Sequence, residues 1–231
     1  MPRLELGRAR ASRCAASSPM TETAGHDMQQ AIRRREIEFW FEFGSNYSYL
    51  SALRIEYLAQ RAGVAVRWQP FLLGPIFASF GWSTSPFVLQ PEKGAYVWDD
   101  MRRQCAKYAI PWHRPSVFPR SAVLATRVAL HGAREPWIAD FVAAIMRANF
   151  ARDEDISSEV KVIEALRELA LPAMAILADC QSEVNKPKLR QQTERAKALG
   201  IFGAPTFFVG NDMFWGNDRL DDAIELASHE R

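Results

Sequence analysis

Residues 37–50, "IEFWFEFGSNYSYL", carry an apolar and aromatic run into a Gly-Ser-Asn turn and then into a segment with helical spacing. "IEFWFEF" reads as a buried strand. "SNYSYLSALRIEYLAQRAG" (45–63) reads as one helix, because Tyr49, Leu50, Leu53, Tyr57 and Leu58 recur at the helical period. Ser45 or Asn46 is the natural cap, and Gly63 is the stop. A strand breaking into a helix is where a Cys-x-x-Cys redox motif would stand. Here Ser45 and Ser48 hold that spacing, so hydroxyls replace both sulfurs.

Beyond Gly63, "VAVRWQPF" resumes a strand with Val64, Val66 and Trp68 alternating, which completes one β-α-β unit. From Leu72 to about Val184 the pattern is loops and helices without strand alternation. Strand signals return in "TFFVG" and "MFW", which flank Asn211-Asp212 as a two-residue hairpin turn. A helix with Pro187 near its start and Gly200 at its stop precedes them, and a last helix runs from about Asp218 to Ser228. Only one crossover is present. The order therefore points to an α/β thioredoxin-like fold with a large helical insertion: core segments 36–71 and 185–231, and an inserted helical domain at 72–184.

Composition bounds the function. With 48% hydrophobic and 24% charged residues the chain has the balance of a globular protein with a sizeable core. Its apolar runs fall short of the roughly 18 residues a membrane-spanning helix needs. Residues 1–35 hold seven Arg against Glu5, Glu22 and Asp27, a net of +4, so a total of +2 leaves −2 on the rest. A mildly acidic body argues against nucleic-acid binding. The first 35 residues lack an apolar signal-peptide core and read as a disordered tail or an upstream start before Met20 or Met28, with a transit peptide as the weaker alternative. Cys14, Cys105 and Cys180 have no partner at motif spacing, which fits a reducing, cytoplasmic setting and two buried, inert body cysteines. His113 and His131 lack a partner at ligand spacing, so no metal site is expected.

Two junctions could carry chemistry. The Ala204-Pro205 bond lies between a helix stop and a strand start. In a thioredoxin-like fold a cis-proline there faces the first helix and leaves the N–H and C=O of Ala204 free to pair with an extended peptide. "GNDRL" (216–220) opens the last helix, where Asn217 serves as an N-cap and Asp218 complements the helix dipole.

The segments "FEFGSNYSYL", "PFLLGPIF", "KGAYVWDD", "GIFGAPTFFVG" and "MFWGNDRL", in this order, resemble the 2-hydroxychromene-2-carboxylate isomerases, relatives of kappa-class glutathione transferases in the DsbA-like thioredoxin group. The resemblance spans residues 37–227. It implies glutathione as cofactor, with Ser45 beside its sulfur and Asn46 bracing the sulfur or sharing the cap. It also implies Asn217 and Asp218 at the γ-glutamyl end, Lys93 near the glycine carboxylate, and Ala204 and Pro205 along the tripeptide. Thr84 stands where kappa-class relatives often have Asn, a departure from the pattern. Phe77, Phe80, Trp82, Phe87, Trp98 and Trp112 would form an aromatic lid facing the groove, while Ser48 and Trp215 would pack.

The implied reaction interconverts 2-hydroxychromene-2-carboxylate, or a related small aromatic catabolite, and trans-o-hydroxybenzylidenepyruvate by thiolate addition, bond rotation and elimination. The alternatives are a kappa-like glutathione transferase or peroxidase and a redox-inert thioredoxin-like peptide-binding module. A disulfide oxidoreductase is excluded by the two serines. Members of the family are often homodimers, although no interface signal accompanies that in the sequence.

Overall fold

The computed structural model of the protein describes residues 35–229; the expectations for the first 34 residues fall outside them. Strand β1 (Glu36–Phe41) lies between β2 (Ala65–Pro70) and β3 (Thr206–Val209), and β4 (Asp212–Trp215) closes the edge, in the order β2-β1-β3-β4. β1 runs parallel to β2, with Phe39 opposite Trp68, and antiparallel to β3, with Phe39 opposite Phe207. A central strand meets apolar layers on both faces, which is why "IEFWF" shows no polar alternation.

Phe39, Phe41, Trp68 and Phe207 form one aromatic face, with neighbouring ring centroids 5.1–5.5 Å apart. Trp40 points the other way and is buried with Phe71, Ile76, Ala196 and Ile201. That second face is covered by α3 (Leu73–Ser79) and α10 (Lys186–Ala198).

The first helix differs from its expected form. It breaks at Leu53-Arg54 into α1 (Asn46–Ala52) and α2 (Ile55–Ala62). The break lets the two halves serve different neighbours. α1 packs on α7 (Ile138–Ala151), where Tyr49 meets Phe150 at 5.3 Å, whereas α2 packs on β2 and on α11 (Leu220–His229). Gly63 ends α2 at φ +68°, a left-handed stop open to glycine at little cost.

Between β2 and β3 the chain is helical. After α3 come α4 (Pro86–Leu89), α5 (Pro91–Lys107) and α6 (Val123–His131). Past α7 follow α8 (Glu159–Glu168), α9 (Ala173–Cys180) and α10. The main apolar cluster runs without a gap from Phe39 and Phe41 of the sheet through Phe141 and Ile145 of α7 to Val162 and Leu166 of α8. Gly94 of α5 lies so close to α4 that a Cβ there would stand 2.2 Å from the Phe87 carbonyl oxygen.

The hairpin also differs by one residue. Val209 pairs with Asp212, so Gly210-Asn211 forms the turn and Asp212 joins β4. Gly210 takes φ +58°, which decides the register in favour of a glycine at the first turn position. The last helix begins later than expected: Asn217–Arg219 make a 3-10 turn, and α11 starts at Leu220.

Candidate functional site

The turn from β1 into α1 is held from both sides. A Cβ on Gly44 would lie 3.0 Å from the Arg120 carbonyl oxygen, so glycine there admits the 118–121 loop across the strand end. Ser45 caps α1: its Oγ accepts from the Ser48 N–H at 3.2 Å, and its own hydroxyl proton goes to the Ala204 carbonyl at 2.8 Å. The Ala204-Pro205 peptide is cis, as expected. The Ala204 carbonyl is thus engaged rather than free. Its N–H donates to no acceptor among the described residues, and the carbonyl keeps a second lone pair. The Pro205 carbonyl accepts from the Gly216 N–H at 3.0 Å, which draws the Asn217-Asp218 turn to the same place.

These contacts frame one cavity of about 1240 Å³. Ser45, Asn46, Thr84, Lys93, Ala204, Pro205, Asn217 and Asp218 all line it. Ser45, Asn46 and Asn217 are buried, and Asn46 Nδ2 has no hydrogen-bond partner among the described residues. Thr84 is half-buried, whereas Lys93 and Asp218 are exposed, with Arg219 3.4 Å from the Asp218 carboxylate. A pocket for one drug-sized ligand occupies roughly 300–1,000 Å³, so this space admits a peptide-sized cofactor and a small substrate together.

Several side chains depart from their expected places. Asn217 does not cap the helix; its Oδ1 accepts from Ser51 Oγ at 3.1 Å and from Arg54 Nη1 at 3.3 Å. Of the aromatic lid, Phe77, Trp82 and Phe87 line the cavity. Trp98 and Trp112 instead stack on each other at 6.0 Å, and Phe80 is an exposed neighbour of Trp82. Trp215, expected to pack, is 53% exposed and lines the cavity mouth against Phe202, 4.8 Å between ring centroids. Ser48 is fully buried, with no partner for its hydroxyl among the described residues. Burial pushes the Cys105 thiol up to about 12 and the Cys180 thiol to about 11, so both stay protonated near neutral pH.

The sequence reading passed over Glu42, Tyr47 with Asp100, and Arg54. The Tyr47 hydroxyl donates to Asp100 Oδ2 at 2.9 Å across the cavity wall, a pairing of distant residues that no local pattern marks. Glu42 did leave a signal, as the lone acid inside "FWFEF". Its Oε1 accepts from the Leu73 N–H at 3.2 Å, and burial raises its carboxyl from 4.5 to about 7.

An acid raised in the fold keeps its proton between those values while the unfolded chain has lost it. The native state therefore binds more protons in that window, and stability falls as pH rises from about 4.5 through about 7. The drop is on the order of 2–3 kcal/mol, with the larger figure a ceiling because the cavity admits water. Urea titrations at pH 5 and pH 8 should show it, and Glu42→Gln should flatten it. An unchanged slope in Glu42→Gln would assign the pH dependence to other groups.

Residues 36–226 match the model of the DSBA-like thioredoxin domain, in agreement with the four-stranded sheet and the cis-proline facing α1. The chain belongs to the DsbA-like thioredoxin family. It is 28% identical over 188 residues to 2-hydroxychromene-2-carboxylate isomerase of Sphingobium xenophagum, spanning 81% of this chain and 95% of that protein. A solved structure of 2-hydroxychromene-2-carboxylate isomerase matches with a TM-score of 0.73 at 25% identity, over 80% of this chain and 90% of that one. Glutathione S-transferase kappa 1 of Rattus norvegicus is 24% identical over 201 residues, 81% of this chain and 88% of that protein. This DsbA-like domain differs from a disulfide oxidoreductase at the decisive atoms, since Ser45 and Ser48 offer no sulfur to oxidise. Among the described residues no group of acidic, His or Cys side chains is arranged to hold a metal, and no helix is long and apolar enough to cross a membrane.

Proposed function

We propose that the protein is a glutathione-dependent isomerase that converts 2-hydroxychromene-2-carboxylate, or a related small aromatic catabolite, to its trans-benzylidenepyruvate form in a reducing cytoplasm. The observation that carries the reading is the Ser45 hydroxyl. It stands where a redox sulfur would be, at the cap of α1 and bonded to the residue before the cis-proline, inside a cavity with room for two molecules. The names of the similar isomerases support the reaction class.

The residues present suit glutathione. Asn46 Nδ2 is an orphaned donor beside Ser45, and the Ala204 N–H is an unused donor on the opposite wall. Both lack what a tripeptide backbone brings. With Oδ1 of Asn217 taken, its Nδ2 is the group left for a carboxylate, and the exposed Asp218 carboxylate suits an ammonium. Lys93 supplies a cation for the second carboxylate of the peptide. When bound, glutathione supplies a thiolate that adds reversibly to a conjugated double bond and so frees that bond to rotate.

The chain's own part is to hold that charge and shape the space around it. The Ser45 hydroxyl, which donates to the Ala204 carbonyl, would be the side-chain donor for a bound thiolate, and the first-turn amides of α1 would add partial positive charge. Phe77, Trp82 and Phe87 provide flat apolar walls for the aromatic part of the substrate.

Calorimetric titration with reduced glutathione is expected to give saturable binding near one equivalent. Absence of binding at millimolar glutathione, together with binding of an unrelated extended peptide, would replace this reading with a peptide-binding module. A kappa-like transferase shares the binding result and separates from the isomerase by turnover of an electrophile such as a chlorodinitroarene.

A further inference from the structure

Arg54 stands at the break between α1 and α2, with 12% of its side chain exposed, and it is not among the residues lining the cavity. Its guanidinium nevertheless ties three parts of the cavity wall together. Nη1 donates to Asn217 Oδ1 at 3.3 Å, Nη2 pairs with the Asp221 carboxylate at 3.1 Å, and the guanidinium carbon lies 3.7 Å from the centre of the Tyr108 ring. Asn217, Asp221 and Tyr108 all line the cavity.

The consequence for Asn217 follows from donor and acceptor counting. A guanidinium has five donors and no acceptor, so only the oxygen of the Asn217 amide can face it. Ser51, which is buried and bonded to the same oxygen, adds a second donor on that side. Nδ2 is therefore directed away from Arg54, where a ligand carboxylate would be accepted. An amide reversed by half a turn would present its oxygen there and repel the same carboxylate.

We propose that Arg54 is a positioning residue that makes the site selective for a γ-glutamyl group, by locking the Asn217 amide with its N–H donors toward the ligand. The proposal rests on the glutathione reading above. Arg54 touches no ligand; it acts through Asn217. Lysine cannot substitute, because one ammonium cannot bond both Asn217 and Asp221 and also sit over the Tyr108 ring.

The test compares reduced glutathione with cysteinylglycine, which carries the thiol but lacks the γ-glutamyl group, by calorimetry on the full chain. The parent should prefer glutathione by at least about tenfold, the scale of one charge-assisted bond. Arg54→Lys and Arg54→Met should each lose most of that preference, through weaker glutathione binding with cysteinylglycine affinity nearly unchanged. Turnover at saturating glutathione should stay within about twofold. Ser51→Ala, which removes the other donor to the same oxygen, should lose part of the preference and keeps the test open if the Arg54 variants do not fold.

A parent that binds neither thiol overturns the glutathione reading itself. A parent that prefers glutathione, with variants that keep the full preference or lose affinity for both ligands equally, overturns the role of Arg54 alone.

Discussion

Ser45→Ala should lower isomerisation roughly 10- to 100-fold at saturating glutathione while glutathione still binds. The range is what a hydroxyl-to-anion hydrogen bond is worth, about 1.5–3 kcal/mol. Binding survives because Asn217 is held by Ser51 and Arg54 and neither it nor Asp218 bonds the hydroxyl. The loss is incomplete because the first-turn amides of α1 still favour negative charge. The same substitution also removes the cap on Ser48 N–H and the bond to the Ala204 carbonyl, so the fold should lose about 1–2 kcal/mol.

Chemistry and folding are separable by a second serine. Ser48 is buried with an unpartnered hydroxyl, so Ser48→Ala should leave turnover unchanged and stability equal or slightly higher. Rates and melting temperatures of both variants check the pair. If Ser45→Ala keeps the parental rate, the serine is only a helix cap.

Gly94→Ala should destabilise the protein by about 1–3 kcal/mol, although alanine is the better helix former by about 1 kcal/mol. The new Cβ would stand 2.2 Å from the Phe87 carbonyl, and a backbone oxygen cannot swing aside as a side chain can. Either α4 or the start of α5 must move, carrying Phe87 or Lys93 out of the cavity wall with it. A weaker affinity for glutathione should accompany the lower melting temperature. Gly74 of α3 has nothing among the described residues within 4 Å of its would-be Cβ, so Gly74→Ala should cost nothing by comparison. Equal melting temperatures for the two variants would mean that α4 yields without cost.

The fold was legible because its central strand and its turn residues carry local signals. Buried on both faces, β1 reads as an aromatic run, and glycines at 63 and 200 mark helix ends. The break at Leu53-Arg54 left no such mark, since helical spacing continues through it. What breaks the helix is tertiary: α7 claims one half, and α11 and β2 claim the other. The one-residue shift of the hairpin has a local cause that could have been read, because Gly210 suits the positive φ better than Asn211-Asp212 suits a turn that starts one residue later.

Within the site, Ser45, Asn46, Ala204, Pro205, Asn217 and Asp218 were legible by position and Thr84 and Lys93 only through the family resemblance, and the structure brings all eight to one cavity. Arg54 was not, since its partners Asn217 and Asp221 are more than 160 residues away. Trp215 was misplaced for a related reason. An aromatic at a strand end reads as core, but Phe202 and the bare backbone of Gly203 pack against the indole and leave the rest of it at the cavity mouth.

The most direct test of the central claim follows the absorbance change as 2-hydroxychromene-2-carboxylate is mixed with the purified chain, with and without reduced glutathione. Conversion to trans-o-hydroxybenzylidenepyruvate is expected only when glutathione is present, with S-methylglutathione unable to replace it. Conversion at the same rate without glutathione, or none with it, would contradict the account.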